Sequence, residues 1–237
     1  MNRSPISCIV LFDIDGTLVS GPLGGHGAGV FAMNAASIAV TGKPSRFIGA
    51  DYAGRTDLQI ARMLIEDAGT VPPTSENIEA LIDAYVLHLS GRIDEHPCRP
   101  IGDPRAAVLA LRAAGALVGL GTGNVRRGAQ LKLRSAGLDD LFTPLEGGFG
   151  TDGITRTELL DAGVRDMAQK GPPLPAVIVG DTPRDIEGAK GIGALSVGIP
   201  FGRNTTDVLR GAGADSVIET IDESLVSVIR TLLENRR

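Results

Sequence analysis

The stretch Asp13-Ile14-Asp15-Gly16-Thr17 places two acids directly after an apolar run near the start of the chain. That run, residues 6–12, is strand-forming and mostly apolar, which predicts a buried β-strand. A carboxylate at the mouth of a buried strand must find a cation, a hydrogen-bond donor or water. We therefore expect the strand to deliver both acids to the rim of a sheet, where they can hold a metal and attack an electrophile. Because Asp and Gly are also common turn residues, acids that merely terminate the strand are the alternative.

Length and charge bound the class of protein. The chain has 237 residues, which suits one large domain or a core domain with a smaller insert. Its net charge of -5 argues against nucleic acid and anionic membranes as partners, but not against a small anionic substrate. Cys8 and Cys98 lack the spacing of a metal or redox motif. No apolar run is long enough for a signal peptide or a membrane span, so we expect a cytoplasmic protein. Its oligomeric state stays open.

Residues 19–97 show helical periodicity and no run that predicts a strand. An Ala-rich segment at 30–40 is one candidate helix. Two more are marked by apolar residues at helical spacing, namely Ala61, Leu64, Ile65 and Ala68, and then Ile78, Leu81, Ile82, Tyr85 and Leu89. Helices of this kind pack as a small bundle with short loops.

From Cys98 onward, predicted strands and helices alternate. The strands are expected at 116–121, 141–145, 176–180, 194–199 and 215–218. The helices are expected from Asp103 and Pro104 to near Gly115, at 125–136, 157–170 and 184–190, and at the C-terminus. This alternation is typical of an α/β protein with a parallel, doubly wound sheet. We therefore expect a core of residues 1–18 and 98–237, with residues 19–97 inserted as a helical cap.

Three predicted strands end in polar signals. They are Asp13-Ile14-Asp15-Gly16-Thr17, Gly121-Thr122-Gly123-Asn124 and Gly180-Asp181-Thr182-Pro183-Arg184-Asp185. In an open parallel sheet, active residues collect beyond the carboxyl ends of the strands. The three stretches should therefore meet and form one site.

Each stretch supplies a different part of a phosphoryl-transfer site. Asp13 and Asp181 would share a Mg²⁺ ion, a hard cation that prefers oxygen ligands. Thr122, Gly123 and Asn124 precede a helix, where free N–H groups and the helix dipole favour an anion.

Over nearly the whole chain, these motifs resemble those of haloacid-dehalogenase-superfamily phosphatases with a helical cap, and the phosphoglycolate-phosphatase-like branch is the most similar. The resemblance implies that Asp13 is the nucleophile and forms an aspartyl-phosphate. It implies that Asp15 is the general acid and base, with its backbone carbonyl as a Mg²⁺ ligand. Thr122 then binds phosphate and Asp181 completes the metal site. Asp185 matches an outer acid that acts through water or orients Arg184 or a neighbour.

The family's third motif usually holds a lysine, whereas this chain offers Arg156 just before a predicted helix. A guanidinium can clamp phosphate in a forked geometry, although it is not a neutral replacement for lysine. An exposed arginine at a helix start is the alternative reading of Arg156. Lys170, at a predicted helix end, is the less suitable substitute.

The resemblance places substrate specificity in the cap. In Gly54-Arg55-Thr56-Asp57, the candidates for substrate contact are Arg55 and Asp57. The alternative is that Thr56 or Asp57 caps the following helix. The glycine-rich residues 24–27, with His26, are expected to form a hinge or a loop that faces the site.

The expected function is Mg²⁺-dependent hydrolysis of a small phosphomonoester through an aspartyl-phosphate. Asp15 argues against a dehalogenase and a phosphonoacetaldehyde hydrolase, and the latter would also need a cap lysine, for which Lys43 is the sole choice. A phosphosugar mutase with the same motifs stays open. A non-enzymatic, phospho-accepting receiver-like domain would leave the helical insert unexplained. The natural substrate is not identified.

Overall fold

Six parallel strands form the central sheet of the computed structural model, which describes residues 5–21, 27–44, 46, 52–169 and 173–236. In chain order the eight strands are β1 (Ile9–Phe12), β2 (Val19–Ser20), β3 (Arg99–Pro100), β4 (Leu117–Gly121), β5 (Gly147–Gly148), β6 (Ala176–Gly180), β7 (Leu195–Gly198) and β8 (Ser216–Val217). The sheet order is β5-β4-β1-β6-β7-β8. The predicted α/β fold with a parallel sheet is confirmed.

Strand β1 lies in the middle of this sheet because both of its faces are apolar. All four of its side chains are fully buried. Ile9 and Leu11 pack into the helix layer that contains Leu159, while Val10 and Phe12 pack into the larger apolar cluster on the other face. Strands β4 and β6 pair with β1 on its two sides. The residues that follow all three strands therefore emerge side by side at one edge.

Six helices flank the sheet: α4 (Pro104–Ala113), α5 (Arg126–Ser135), α6 (Arg156–Ala168), α7 (Pro183–Gly191), α8 (Thr206–Ala212) and α9 (Leu225–Asn235). Two of these helices, α6 and α7, carry residues of the site, and a capping box marks the start of each. Thr155 and Glu158 form a capping box at the start of α6, and Thr182 and Asp185 form one at the start of α7.

The inserted block contains the helices α1 (Ala28–Thr41), α2 (Asp57–Ala68) and α3 (Ser75–Arg92), near the positions that periodicity predicts. Their apolar faces pack on one another within the large core cluster. The ends of the block are joined by an antiparallel pair, β2 with β3. Strand β2 lies inside the region where no strand was expected, because two residues are too few to produce a periodic signal.

The predicted strand at 141–145 is wrong. Residues Asp139–Phe142 form a 3₁₀ turn that buries Leu141 and Phe142, and the strand follows as β5. Two glycines build that strand because the neighbouring backbone is too close for side chains. A Cβ on Gly148 would lie 1.8 Å from the carbonyl oxygen of Leu159. Helix α8 was not predicted, since Leu209 is its one buried residue.

No helix among the described residues is both long and apolar enough to cross a bilayer.

Candidate active site

A cavity of about 380 Å³ lies where the loops after β1, β4 and β6 meet the helical block. Its lining includes Asp13, Asp15, Asn124, Arg156 and Asp181. The three polar stretches that were expected to meet therefore line one cavity. Thr122 sits just behind this surface and is fully buried.

Three carboxylates form a buried group on one side of the cavity floor. One oxygen each from Asp13, Asp181 and Asp185 lies within 4.8 Å of the others. Among the described residues, ion pairs join this group to one cation, Arg156, whose Nη2 lies 2.9 Å from Asp13 Oδ2. Arg156 is 7% exposed, so it is not the exposed helix-start arginine of the alternative reading. Three acids and one guanidinium leave an excess of negative charge. We call these four residues the metal-side cluster.

Burial and mutual repulsion disfavour the ionised form of carboxyl groups in the metal-side cluster. Burial raises the pKa of Asp13 to about 6, with Arg156 opposing the shift and Asp185 and Asp15 adding to it. Burial, then Asp185 and Asp13, hold the pKa of Asp181 well above its usual range. A buried, crowded set of carboxylate groups that outnumbers its single cation is a donor set that suits a hard ion such as Mg²⁺. The residues therefore fit the expected ion.

Asp185 is held in place by the start of α7. Its Oδ2 accepts hydrogen bonds from Thr182 N at 3.0 Å and from Thr182 Oγ1 at 2.7 Å. Its Oδ1 accepts from Arg156 Nε at 2.6 Å. Arg184 instead donates to the carbonyl of Ala53 at 2.5 Å. The residue that Asp185 orients is therefore Arg156, and not Arg184.

The other side of the floor is organised around Asp15. Its Oδ2 accepts hydrogen bonds from Asn124 Nδ2 at 2.8 Å and from Lys132 Nζ at 2.6 Å. Lys132 Nζ also donates to Asn124 Oδ1 at 2.6 Å, and Asn124 Nδ2 lies 2.8 Å from Thr122 Oγ1. We call Asp15, Asn124 and Lys132 the acid–base cluster. Its one carboxylate is matched by one ammonium group.

Lys132 was not identified from the sequence. Its side chain is 8% exposed, and burial opposes its charge, but Asp15, Tyr85 and Asp57 hold its pKa well above the ordinary value. A signal was available: Lys132 lies seven residues after Val125 and three after Ala129, on the predicted apolar face of α5. A lysine in phase with such a face is rarely left without a partner.

Asp57 fastens the helical block to the loop after β4. Thr56 caps α2 in a capping box with Gln59, while Asp57 is 6% exposed. Asp57 Oδ2 accepts from Val125 N at 2.9 Å, and Asp57 N donates to the carbonyl of Gly123 at 2.8 Å. The N-cap amide of α5 therefore already binds an anion from the chain itself. Burial raises the pKa of Asp57 to about 6, with Lys132 opposing.

The remaining candidates fall in different places. Arg55 lines the cavity, and its carbonyl oxygen would lie 2.3 Å from a Cβ placed on Gly123, so the loop requires glycine there. Lys43 donates to the carbonyl of Ala68 at the end of α2, a structural contact within the helical block. His26 with residues 24–25, and Lys170, lie outside the described residues.

Comparison with known proteins gives consistent results. A family model for haloacid dehalogenase-like hydrolases matches residues 9–193. A probable phosphatase, IndB, of Dickeya dadantii is 25% identical over 229 residues, with 95% of each chain covered. A phosphoglycolate phosphatase of Synechococcus elongatus is 28% identical over 123 residues, covering 52% of this chain and 56% of that one.

Solved structures share the fold. CbbY from Rhodobacter sphaeroides, in complex with phosphate, superposes with a TM-score of 0.70 at 18% identity, covering 91% of this chain and 94% of that one. A hydrolase from Pseudomonas syringae gives 0.66 at 20% identity, covering 95% and 98%. The resemblance to the haloacid dehalogenase family that was inferred from the motifs is confirmed. The chain belongs to the haloacid dehalogenase-like hydrolase family.

Proposed function

We propose that this protein is a Mg²⁺-dependent phosphatase that hydrolyses a small phosphomonoester through an aspartyl-phosphate on Asp13. The observation that carries the proposal is the metal-side cluster, in which buried carboxylates outnumber the one guanidinium that pairs with them. Such a cluster is costly unless a cation offsets its excess negative charge.

Asp13, Asp181 and the main-chain carbonyl of Asp15 would hold the ion, with Asp185 behind them. When bound, Mg²⁺ offsets the charge of the carboxylates and polarises a phosphoryl oxygen. Charge balance requires it: a carboxylate and a phosphate charge about 5 Å apart repel by roughly 3 kcal/mol at an effective dielectric near 20.

Phosphate binding falls to the loop after β4 and to Arg156. The loop with Thr122, Gly123 and Asn124 follows β4, which pairs with β1 on one side. Arg156 pairs with Asp13 and with Asp185, which lies beyond β6 on the other side of β1. Although Arg156 Nη2 makes ion-pair contacts, among the described residues it has no hydrogen bond of good geometry. A buried donor of this kind gains a hydrogen bond when a phosphate oxygen arrives.

The covalent steps use two carboxyl groups. A carboxylate oxygen of Asp13 bonds to phosphorus, the ester P–O bond breaks, and Asp15 gives its proton to the leaving oxygen. Asp15 then takes a proton from water as the water oxygen attacks phosphorus. The bond between phosphorus and Asp13 breaks, and inorganic phosphate leaves.

A small phosphorylated metabolite is the substrate class that we propose. A cavity of about 380 Å³ beneath the helical block suits a small ester. The names of the relatives point the same way, since two are phosphatases and one solved structure carries phosphate. Arg55 lines the cavity and is the candidate contact for the leaving group. Asp57 instead accepts a hydrogen bond from the backbone of Val125, in the loop after β4.

The test is a turnover screen with Mg²⁺ over phosphoglycolate, sugar phosphates and simple alkyl phosphates, read as inorganic phosphate released per chain. We expect many turnovers with at least one ester. One phosphate per chain would indicate an acceptor domain. Conversion of a sugar phosphate to its isomer without phosphate release would indicate a mutase.

A further inference from the structure

Lys132 has no part in the steps above, yet it is buried at the floor of the cavity in contact with the proposed acid. We infer that Lys132 is a positioning residue, which orients Asn124 and Asp15 so that Asp15 Oδ1 carries the proton given to the leaving group. This inference rests on the proposed function and adds a role that the family's motifs leave unassigned.

Lys132 determines which way the Asn124 amide points. An ammonium group only donates, so the atom of Asn124 that lies 2.6 Å from Nζ must be the oxygen. The Asn124 Nδ2 group is thereby directed to Asp15 Oδ2 and Thr122 Oγ1, both at 2.8 Å. If Lys132 were absent, the amide could turn over and present its oxygen to the Asp15 carboxylate. One side chain therefore orders a proposed phosphate ligand and the proposed acid together.

The same contacts distinguish the two oxygens of Asp15. Asn124 and Lys132 both donate to Oδ2, and one of these donors is a cation. Because these two hydrogen bonds occupy Oδ2, Oδ1 is the oxygen that is left to carry the proton to the leaving group. In the transfer step, the Oδ1–H bond breaks and a bond from hydrogen to the leaving oxygen forms. The carboxylate left behind is stabilised by its two donors.

Packing alone does not explain a lysine at this position. A buried ammonium must be fully hydrogen-bonded to avoid a large desolvation cost, and an apolar residue would fill the same volume without that cost. Lys132 donates hydrogen bonds to Asp15 and Asn124, and Tyr85, which comes from α3 of the helical block, lies beside it. The Lys132 ammonium group therefore lies where it can donate to both Asp15 and Asn124.

The dependence of the rate on the leaving group distinguishes a positioning role of Lys132 from a purely structural one. An alkyl phosphate needs a proton on its leaving oxygen, whereas p-nitrophenyl phosphate does not, because nitrophenolate is a stable anion. The ratio of kcat/KM for the two esters reports the first chemical step and is independent of the fraction of protein that is folded. With Lys132→Met we expect this alkyl-to-nitrophenyl ratio to fall by about 100-fold, the size of a general-acid contribution.

Two further variants complete the design. Lys132→Gln keeps a donor without the charge and should give an intermediate ratio, which also carries the test if Lys132→Met does not fold. Arg134→Met removes an exposed charge from the same helix and should keep the wild-type ratio. An equal loss on both esters, or an unchanged ratio in both Lys132 variants, would overturn the inference and leave the phosphatase intact. A wild-type protein that hydrolyses neither ester with Mg²⁺ would overturn both.

Discussion

The two sides of the cavity floor differ in whether they are complete. In the metal-side cluster, one guanidinium pairs with two of three buried carboxylates, whereas in the acid–base cluster one carboxylate is matched by one ammonium and one amide. The balance of charge therefore distinguishes the two clusters: the first has more carboxylates than cations, and the second has equal numbers of each. In the proposed function, the metal side takes up a cation from solution, whereas the groups of the acid–base side are already paired with one another.

The largest expected effect lies on the metal side, at the nucleophile. Asp13→Asn should lower kcat at least about 1,000-fold with every ester, because an amide cannot form the aspartyl-phosphate. Its circular dichroism spectrum should match the wild type, since Asn preserves the shape of the side chain. Asp161→Asn, a substitution at a half-buried position on α6, is the matched control and should keep full activity. Near wild-type turnover by Asp13→Asn would refute the covalent route.

Removal of the ion should have the next largest effect. Dialysis against a chelator should lower turnover by about 100-fold or more, and added Mg²⁺ should restore it, because the excess of carboxylates then again repels phosphate. The thermal unfolding midpoint of the wild type should rise with Mg²⁺, since the ion binds the folded state. An unchanged rate after chelation would show that the metal side is complete without an ion.

Loss of the Arg156 charge should lower the free energy of unfolding more than loss of the Lys132 charge. In metal-free protein at neutral pH, Arg156→Met should lower the free energy of unfolding by about 3–5 kcal/mol, because it leaves buried charges without a partner. Lys132→Met should cost less, since the Asp15 side chain is 54% exposed and can bind water. Mg²⁺ should recover part of the loss in Arg156→Met and little in Lys132→Met. Denaturant titrations with and without Mg²⁺ measure both, and equal costs would contradict the comparison.

The smallest effect concerns Asp57, which ties the helical block to the acid–base side. Its pKa is about 6 in the folded protein against 3.8 for an ordinary aspartate side chain, so the folded state holds the extra proton between these values. The contribution of Asp57 to stability must therefore fall as pH rises from about 4 to about 6 and stay constant above that. Two pKa units correspond to about 3 kcal/mol.

Asp57→Asn carries no charge and should lack this dependence. The difference in free energy of unfolding between Asp57→Asn and the wild type should therefore shift by up to about 3 kcal/mol in favour of the variant between pH 4 and pH 7. Asp94→Asn, an exposed substitution in the same block, should show no such shift. A pH-independent difference for Asp57→Asn would show that the carboxyl is not desolvated in the folded protein.

The polar residues at the three strand ends could be predicted from the sequence, because each group follows a short apolar run. Asp13, Thr122 and Asp181 belong to parallel strands, and parallel strands bring their carboxyl ends to one edge of a sheet. Strand β5 was not predictable, because two glycines have no periodicity. Leu141 and Phe142 imitate a strand, since a 3₁₀ turn buries them equally well.

The contacts between the helical block and the core were harder to predict. Asp57 lies at a helix start, where capping explains an acid well enough, and its bond to Val125 spans 68 positions of sequence. Lys132 is a helix lysine of the kind that is usually exposed, and only its phase with Ala129 sets it apart. Contacts of this kind depend on how two units meet, which local patterns do not encode.

The most direct test of the central claim is to locate the phosphoenzyme. Asp15→Asn should be incubated with Mg²⁺ and p-nitrophenyl phosphate, quenched in acid, and mapped by peptide mass spectrometry. Because the general base is absent, we expect an acid-stable phosphoryl group to accumulate on Asp13, to require Mg²⁺, and to be missing from the Asp13→Asn/Asp15→Asn double variant. Phosphate on another residue, or slowed turnover without any labelled protein, would contradict the account.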